Sequence, residues 1–89
     1  MQPLRKLKRL RRRSANVRFR ELERLALDFG YQPKNVKGSE HTYSKPGQRI
    51  ITFPNHPGAM KRYLVESVLD QLEATYIEEV GDDGNNEER

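Results

Sequence analysis

The sequence predicts one small α+β domain, in which a three-stranded antiparallel sheet carries two helices on one face and an extra basic helix comes first. Three observations support this fold class. The 89 residues, 34% of them hydrophobic, suffice for a single modest core. Two segments place apolar residues at helical spacing, and the stretch between them holds short strand-like runs around turn residues. Antiparallel strands in this order bury one face under helices and leave the other, expected to be basic, open to solvent.

The first element predicted is a basic helix over residues 1–14. In "PLRKLKRLRRR" the residues Leu4, Leu7 and Leu10 recur every three positions and form a narrow apolar stripe. Ser14-Ala15-Asn16 marks its end. Such a helix can pack on the domain, contact another protein or lie on an anionic membrane surface. Three leucines make the membrane alternative the weakest of these, so we favour packing on the domain with the basic face of the helix turned to RNA.

The second helix is predicted in "RFRELERLALDFG", the clearest amphipathic segment of the chain. Gly30 provides a stop at its carboxyl end. Its apolar residues fall on one helical face: Phe19, Leu22, Leu25, Ala26 and Phe29.

Three short strands are predicted next. Tyr31 to Lys37 is a weak strand, because Pro33 restricts it to an edge of the sheet. Glu40 to Ser44 and Arg49 to Phe53 flank "KPGQ", whose Pro-Gly pair favours a turn, so these two strands should form a hairpin. The segment "PNHPG" ends the last strand.

The last helix is predicted from about Met60 to Glu79. Its core-facing residues are spaced by four, with two more beside them: Leu64, Val68, Leu72 and Tyr76, then Val65 and Leu69. The final "GDDGNNEER" is acidic and rich in Gly and Asn, which predicts a disordered tail. We therefore divide the chain into a basic helix (1–14), a folded domain (15–79) and an acidic tail (80–89).

Composition excludes several classes of protein. There is no Cys, so neither a disulfide nor a thiolate metal site is available. Apolar runs are too short for a membrane span, and the start of the chain lacks the apolar stretch of a signal peptide, which favours a cytoplasmic protein. Two histidines fifteen residues apart, without clustered carboxylates, make no ligand set. The sequence thus predicts no metal, no cofactor and no membrane partner.

Charge is strongly segregated along the chain. Residues 1–13 carry seven Lys or Arg and no acid, whereas six acids and one Arg follow from Glu78 onward. Between Lys34 and Arg62, six basic residues face one acid, Glu40. Segregation of this kind favours a polyanionic partner, above all a nucleic acid, over cations that only maintain solubility.

Several motifs resemble one family in order and spacing. They are "NVRF" before the second helix, "VKGSEHTY" at the first hairpin strand, and "ITFPNHPG" with the helix after it. Over roughly Asn16 to Ala74 the chain resembles the HicA toxins, small ribonucleases of bacterial toxin–antitoxin modules with a double-stranded-RNA-binding-like αβββα fold. The resemblance implies an mRNA interferase, that is, a metal-independent endoribonuclease that acts on mRNA with a single histidine. It also implies neutralisation by a HicB-type antitoxin; the oligomeric state stays open.

The resemblance also indicates the candidate site. Members of the family carry their histidine directly after Gly-Ser or one position later; here these places hold Glu40 and His41. His41 is the candidate catalytic residue, since a histidine can take the proton from a ribose 2′-hydroxyl that attacks the adjacent phosphorus. Glu40 is a departure from the family's pattern. The candidate RNA-binding residues are Lys37, Gly38, Ser39, Lys45, Arg49, His56, Lys61 and Arg62.

Each of these candidates has a physical reason. Gly38 permits close approach of a phosphate to the main chain, Ser39 can donate a hydrogen bond, and Lys and Arg stabilise growing negative charge. His56, bracketed by two prolines, suits support or RNA contact. Strand alternation places His41 on the inward face with Tyr43, unless the strand begins with a bulge.

Two alternatives from other classes remain. One is an RNA-binding module of the same fold whose catalysis is lost through Glu40. The other is a protein-interaction subunit whose cations contact the acids of a partner. RNA cleavage separates the first hypothesis from both, and RNA affinity separates the two alternatives from each other.

Overall fold

The computed structural model describes residues 3–80 and confirms the α+β class. The elements follow in the order α1 (Pro3–Arg12), α2 (Phe19–Asp28), β1 (Gln32–Lys37), β2 (Glu40–Ser44), β3 (Ile51–Pro54) and α3 (Arg62–Val80). The three strands form one antiparallel sheet in the order β1-β2-β3. This architecture is compatible with the double-stranded-RNA-binding-like fold that the resemblance implies.

One hydrophobic core lies between the sheet and the helices. Its members come from all three helices and from β2 and β3, and include Leu7, Leu22, Tyr43, Phe53 and Leu69, each at most 1% exposed. The core-facing residues predicted for α2 are all buried. On α3 the buried stripe consists of Val65, Val68, Leu69, Leu72 and Thr75, while Leu64 and Tyr76 are only partly covered.

The first helix packs on the other two helices, which is the arrangement that its leucine stripe predicted. Leu7 and Leu10 are buried in the common core, and Leu4 is half-buried. Ion pairs hold the flanks of α1: Lys6 pairs with Asp28 at the end of α2, and Arg11 reaches three acids of α3. The division at residues 14 and 15 remains a prediction, although α1 shares the core of the domain.

One face of the sheet is open along all three strands, and β1 is exposed on both of its faces. The open face is mostly neutral, so its predicted basic character is wrong. Lys37 stands opposite Glu40 in register, and the exposed hydroxyls of Thr42 and Thr52 lie 3.0 Å apart. On the other face, the Tyr43 hydroxyl donates to the Glu23 carboxylate at 2.7 Å and so joins β2 to α2. Burial raises the pKa of Tyr43, and the hydrogen bond to the Glu23 carboxylate and its negative charge raise it further. The hydroxyl therefore stays protonated.

The starts of β3 and α3 lie two residues later than predicted. The last strand begins at Ile51 and not at Arg49, because Tyr43 pairs with Ile51 and Ile50 lies outside the ladder, 56% exposed. The last helix begins at Arg62 and not at Met60, because the Met60 N–H donates to the Val17 carbonyl at 2.8 Å.

The predicted acidic tail lies outside the described residues, apart from Val80, which ends α3. Among residues 3–80, no helix combines the length and the apolarity needed to cross a membrane.

Candidate functional site

The turn between β1 and β2 consists of Gly38 and Ser39. Lys37 and Glu40 form the closing pair, and Gly38 has φ = 63° while Ser39 has negative φ, the pattern of a type II′ hairpin turn. A Cβ atom built on Gly38 would meet nothing within 4 Å, so the space beside its backbone is open. The Gly-Ser pair is therefore a turn whose main chain is accessible.

The loop that follows β3 lies directly against this turn. The Asn55 N–H donates to the Ser39 carbonyl oxygen at 2.8 Å. His56 is the next residue and is exposed. The structure thus brings both histidine-containing segments of the chain, the start of β2 and the loop after β3, to the same end of the sheet.

His41 occupies the second position of β2 and faces the helices, as strand alternation predicts. It pairs with Phe53 of β3 and Val36 of β1, and no bulge interrupts its strand pairings. Its ring packs on Phe19, with the ring centroids 4.7 Å apart, and the side chain is half-buried. The irregularity in the sheet lies instead in β1, between Pro33 and Asn35.

Two helices begin at the same end. Arg18, the residue before α2, forms a β-bridge with Ala59, shortly before α3 starts at Arg62. The amino ends of α2 and α3, which carry partial positive charge, are therefore close to each other and to His41, since Phe19 is the first residue of α2.

Exposed cations surround this end of the molecule. Lys61 and Arg62, two of the predicted RNA-binding residues, are exposed at the start of α3. Arg18 is also exposed and was missed by the sequence analysis. The signal for it was present, because Glu21 follows three residues later and its carboxylate accepts the Arg18 N–H at 3.0 Å, an arrangement that fixes the start of the helix.

Lys45 and Arg49 lie at the opposite end of the sheet. Both belong to the β2–β3 loop, four or more residues from His41, a separation of about 13 Å along a strand. Lys45 donates to the Phe29 carbonyl and to the Glu79 carboxylate, at 2.6 Å each. It therefore ties the end of α2 to the end of α3, whereas Arg49 is exposed.

Lys37 and Glu40 are close to the turn but on the open face. Because successive residues of a strand point to opposite faces, Glu40 points away from the side that holds His41. No hydrogen bond joins Glu40 to His41 among the described residues, and Glu40 is exposed. Within residues 3–80, no group of three or more metal-ligating side chains is present.

One family model matches the part of the chain that holds the sheet, α2 and most of α3. The family model described as "HicA toxin of bacterial toxin-antitoxin" matches residues 19–74. The chain belongs to the HicA toxin family. The match covers both histidines and excludes α1. No curated protein and no solved structure gave a match.

Membership of the HicA family makes the chain a toxin of a toxin–antitoxin module. An antitoxin partner, in general terms, follows from that membership.

Proposed function

We propose that this HicA protein is a metal-independent endoribonuclease, an mRNA interferase, with His41 as its acid–base group. One observation supports the proposal above the others. A half-buried histidine lies at the end of the molecule where an open Gly-Ser turn, a second histidine and the amino ends of two helices meet.

The reaction requires one proton acceptor close to the ribose. His41 takes the proton of a 2′-hydroxyl, whose oxygen forms a bond to the adjacent phosphorus, and the bond from phosphorus to the 5′-oxygen breaks. The leaving oxygen takes a proton from the imidazolium or from water. The products are a 2′,3′-cyclic phosphate and a 5′-hydroxyl, which distinguishes this chemistry from hydrolysis by an activated water.

Negative charge on the phosphate oxygens needs stabilisation as the new bond forms. Arg18, Lys61 and Arg62 are exposed cations at the amino ends of α2 and α3. Backbone N–H groups at helix amino ends also favour phosphate. In this proposal Gly38 and Ser39 contact the RNA backbone, whereas Lys45, held by Glu79, contributes less than the sequence suggested.

The test compares two histidine variants. His41→Gln retains a side chain that can pack on Phe19, so folding should be preserved, and cleavage of a single-stranded RNA should fall by about a hundredfold to ten-thousandfold. Affinity for the same RNA should change little. Cleavage by the unaltered protein should persist in EDTA, and its products should carry a cyclic phosphate.

His56→Gln is the matched control, since His56 is exposed at the same end. We expect it to lower cleavage less than tenfold. Equal losses in both variants would contradict the assignment of His41. Products with a linear phosphate would contradict the mechanism.

Glu40 favours one second candidate function, an RNA-binding protein without catalysis. Its carboxylate occupies the first position after Gly-Ser, one of the two positions at which members of the family carry their histidine. RNA binding without cleavage would support this function, and the absence of both would leave the protein-interaction subunit. For either RNA function we propose a HicB-like antitoxin that covers the His41 end.

A further inference from the structure

The cations of α1, together with Arg13 directly after it, fall into two sets, and the members of the first set pair with acids of α2 and α3. Lys6 pairs with Asp28, and Arg13 pairs with Glu21 at 2.6 Å. Arg11 binds three acids of α3 at 3.0, 3.0 and 2.9 Å: Glu66, Asp70 and Glu73. These three cations flank the buried leucines and attach α1 to α2 and α3.

The second set faces away from the fold. Arg5, Lys8, Arg9 and Arg12 are all exposed and make no ion pair with any acid in residues 3–80. Their spacing of i, i+3, i+4 and i+7 puts them within an arc of about 100° on one side of the helix. Leu7 and Leu10 lie outside this arc, in the core.

This arrangement is unfavourable without a ligand. Arg5 and Arg9, and likewise Lys8 and Arg12, are like charges at i and i+4, which destabilise a helix. The other two cations of the same helix, Lys6 and Arg11, each have an acidic partner. A polyanion on the exposed arc would remove the repulsion.

We propose that the exposed arc of α1 is a second RNA-binding surface. It contacts the phosphate backbone at a place separate from the His41 end. The arc, called here the α1 cation stripe, comprises Arg5, Lys8, Arg9 and Arg12. Arg5 and Arg12 are seven residues apart, about 10 Å along the helix. The family match begins at Phe19, so this surface is an addition to the HicA domain.

The composition of the stripe favours phosphate over other anionic partners. A protein interface needs a buried apolar or aromatic anchor, and a membrane surface needs apolar side chains to insert. The stripe contains neither, because Leu7 and Leu10 are committed to the core. The inference rests on RNA as the ligand of the proposed function, but not on cleavage.

The experiment measures the salt dependence of binding to a 20-nucleotide oligouridine with the full chain. The variant Lys8→Gln/Arg12→Gln should bind roughly 10- to 30-fold more weakly at 0.1 M salt. The slope of log affinity against log salt should fall in magnitude by about 1.4, since each lost phosphate contact on a single strand accounts for about 0.7. Lys, Arg and Gln are similar helix formers, so the melting temperature should not fall.

The matched control is Arg24→Gln/Lys34→Gln, which removes one exposed Arg and one exposed Lys from other elements. Both double variants lower the net charge equally. A lower slope in the α1 variant alone supports the proposal. Equal changes in both variants would mean a general charge effect and would overturn it, as would no change in either.

Two further outcomes separate this inference from others. If the unaltered protein does not bind oligouridine, the RNA part of the proposed function fails and the α1 cation stripe fails with it. If the unaltered protein binds but the α1 variant is normal, only the stripe fails. Loss of antitoxin binding with RNA binding unchanged would show a protein surface, and would also overturn the proposal.

Discussion

At the scale of single residues, Glu40 and His41 show how one step along a strand separates two roles. The two side chains point to opposite faces of β2, and only His41 contacts Phe19. Glu40 stands opposite Lys37 on the open face, where the two charges can attract each other. A role for Glu40 in orienting His41 therefore has no contact to support it, and its remaining effect on RNA is electrostatic.

The variant Glu40→Gln tests this interpretation. A negative charge about 8 Å from a phosphate, in water, is worth only a factor of about two in affinity. We expect roughly twofold tighter RNA binding and a cleavage rate constant unchanged within about threefold. Glu78→Gln, an exposed acid on α3, is the control for net charge. A clear drop in the cleavage rate constant, with affinity unchanged, would show that Glu40 assists His41.

At the scale of elements, the periodic spacing of apolar residues predicted the helices, because each helix buries one apolar face. The apolar spacing of Phe19, Leu22 and Leu25 fixed α2 in advance because a helix must bury one stripe. Ile50 was predicted to lie in the last strand, yet it is exposed. The strand pairing starts with Tyr43 and Ile51, so Ile50 lies outside it. Such pairing is a tertiary property that a single strand sequence does not contain.

The site shows the same limit. The motif residues identified His41 and His56, whereas the position of Lys45 depends on Glu79, thirty-four residues away. Glu21, three residues after Arg18, indicated only that a helix begins there, whereas the bridge to Ala59 is what brings Arg18 close to the start of α3.

The first helix is expected to be an integral part of the fold. Leu7 is 0% exposed, and its truncation leaves a cavity between α1, α2 and α3. Leu7→Ala should lower the free energy of unfolding by about 2–5 kcal/mol, as measured by urea denaturation. Leu4→Ala, on the same stripe but half-buried, is the matched control and should cost clearly less. Equal and small effects would indicate that α1 is a detachable arm, in line with a boundary at residue 14.

At the scale of the whole molecule, exposed cations and two helix amino ends are gathered at the His41 end. The amino ends of α2 and α3 and the exposed Arg18, Lys61 and Arg62 share the His41 end. Four of the five acids of α3 form ion pairs: Glu66, Asp70 and Glu73 with Arg11, and Glu79 with Lys45. A polyanion or an acidic protein is therefore attracted to the end where the proposed chemistry takes place.

The antitoxin prediction follows from this concentration of positive charge at the His41 end. A toxin that cleaves RNA would harm its host until a partner covers the site, and an acidic partner would face the same cations as RNA. Tyr63, beside Arg62, is 68% exposed and offers such a partner an aromatic anchor. We expect the His41→Gln protein, tagged and expressed in its native host, to co-purify with a HicB-like protein that abolishes cleavage by the unaltered toxin.

Two charge reversals locate the contact with that antitoxin. Arg62→Glu would place like charges against each other and should weaken the complex at least tenfold, as measured by calorimetry. Arg24→Glu changes the net charge equally from an exposed position on α2, so affinity should stay within about threefold. If both reversals weaken the complex alike, the antitoxin responds to overall charge and not to the His41 end. If neither does, it binds elsewhere and must inhibit cleavage without covering His41.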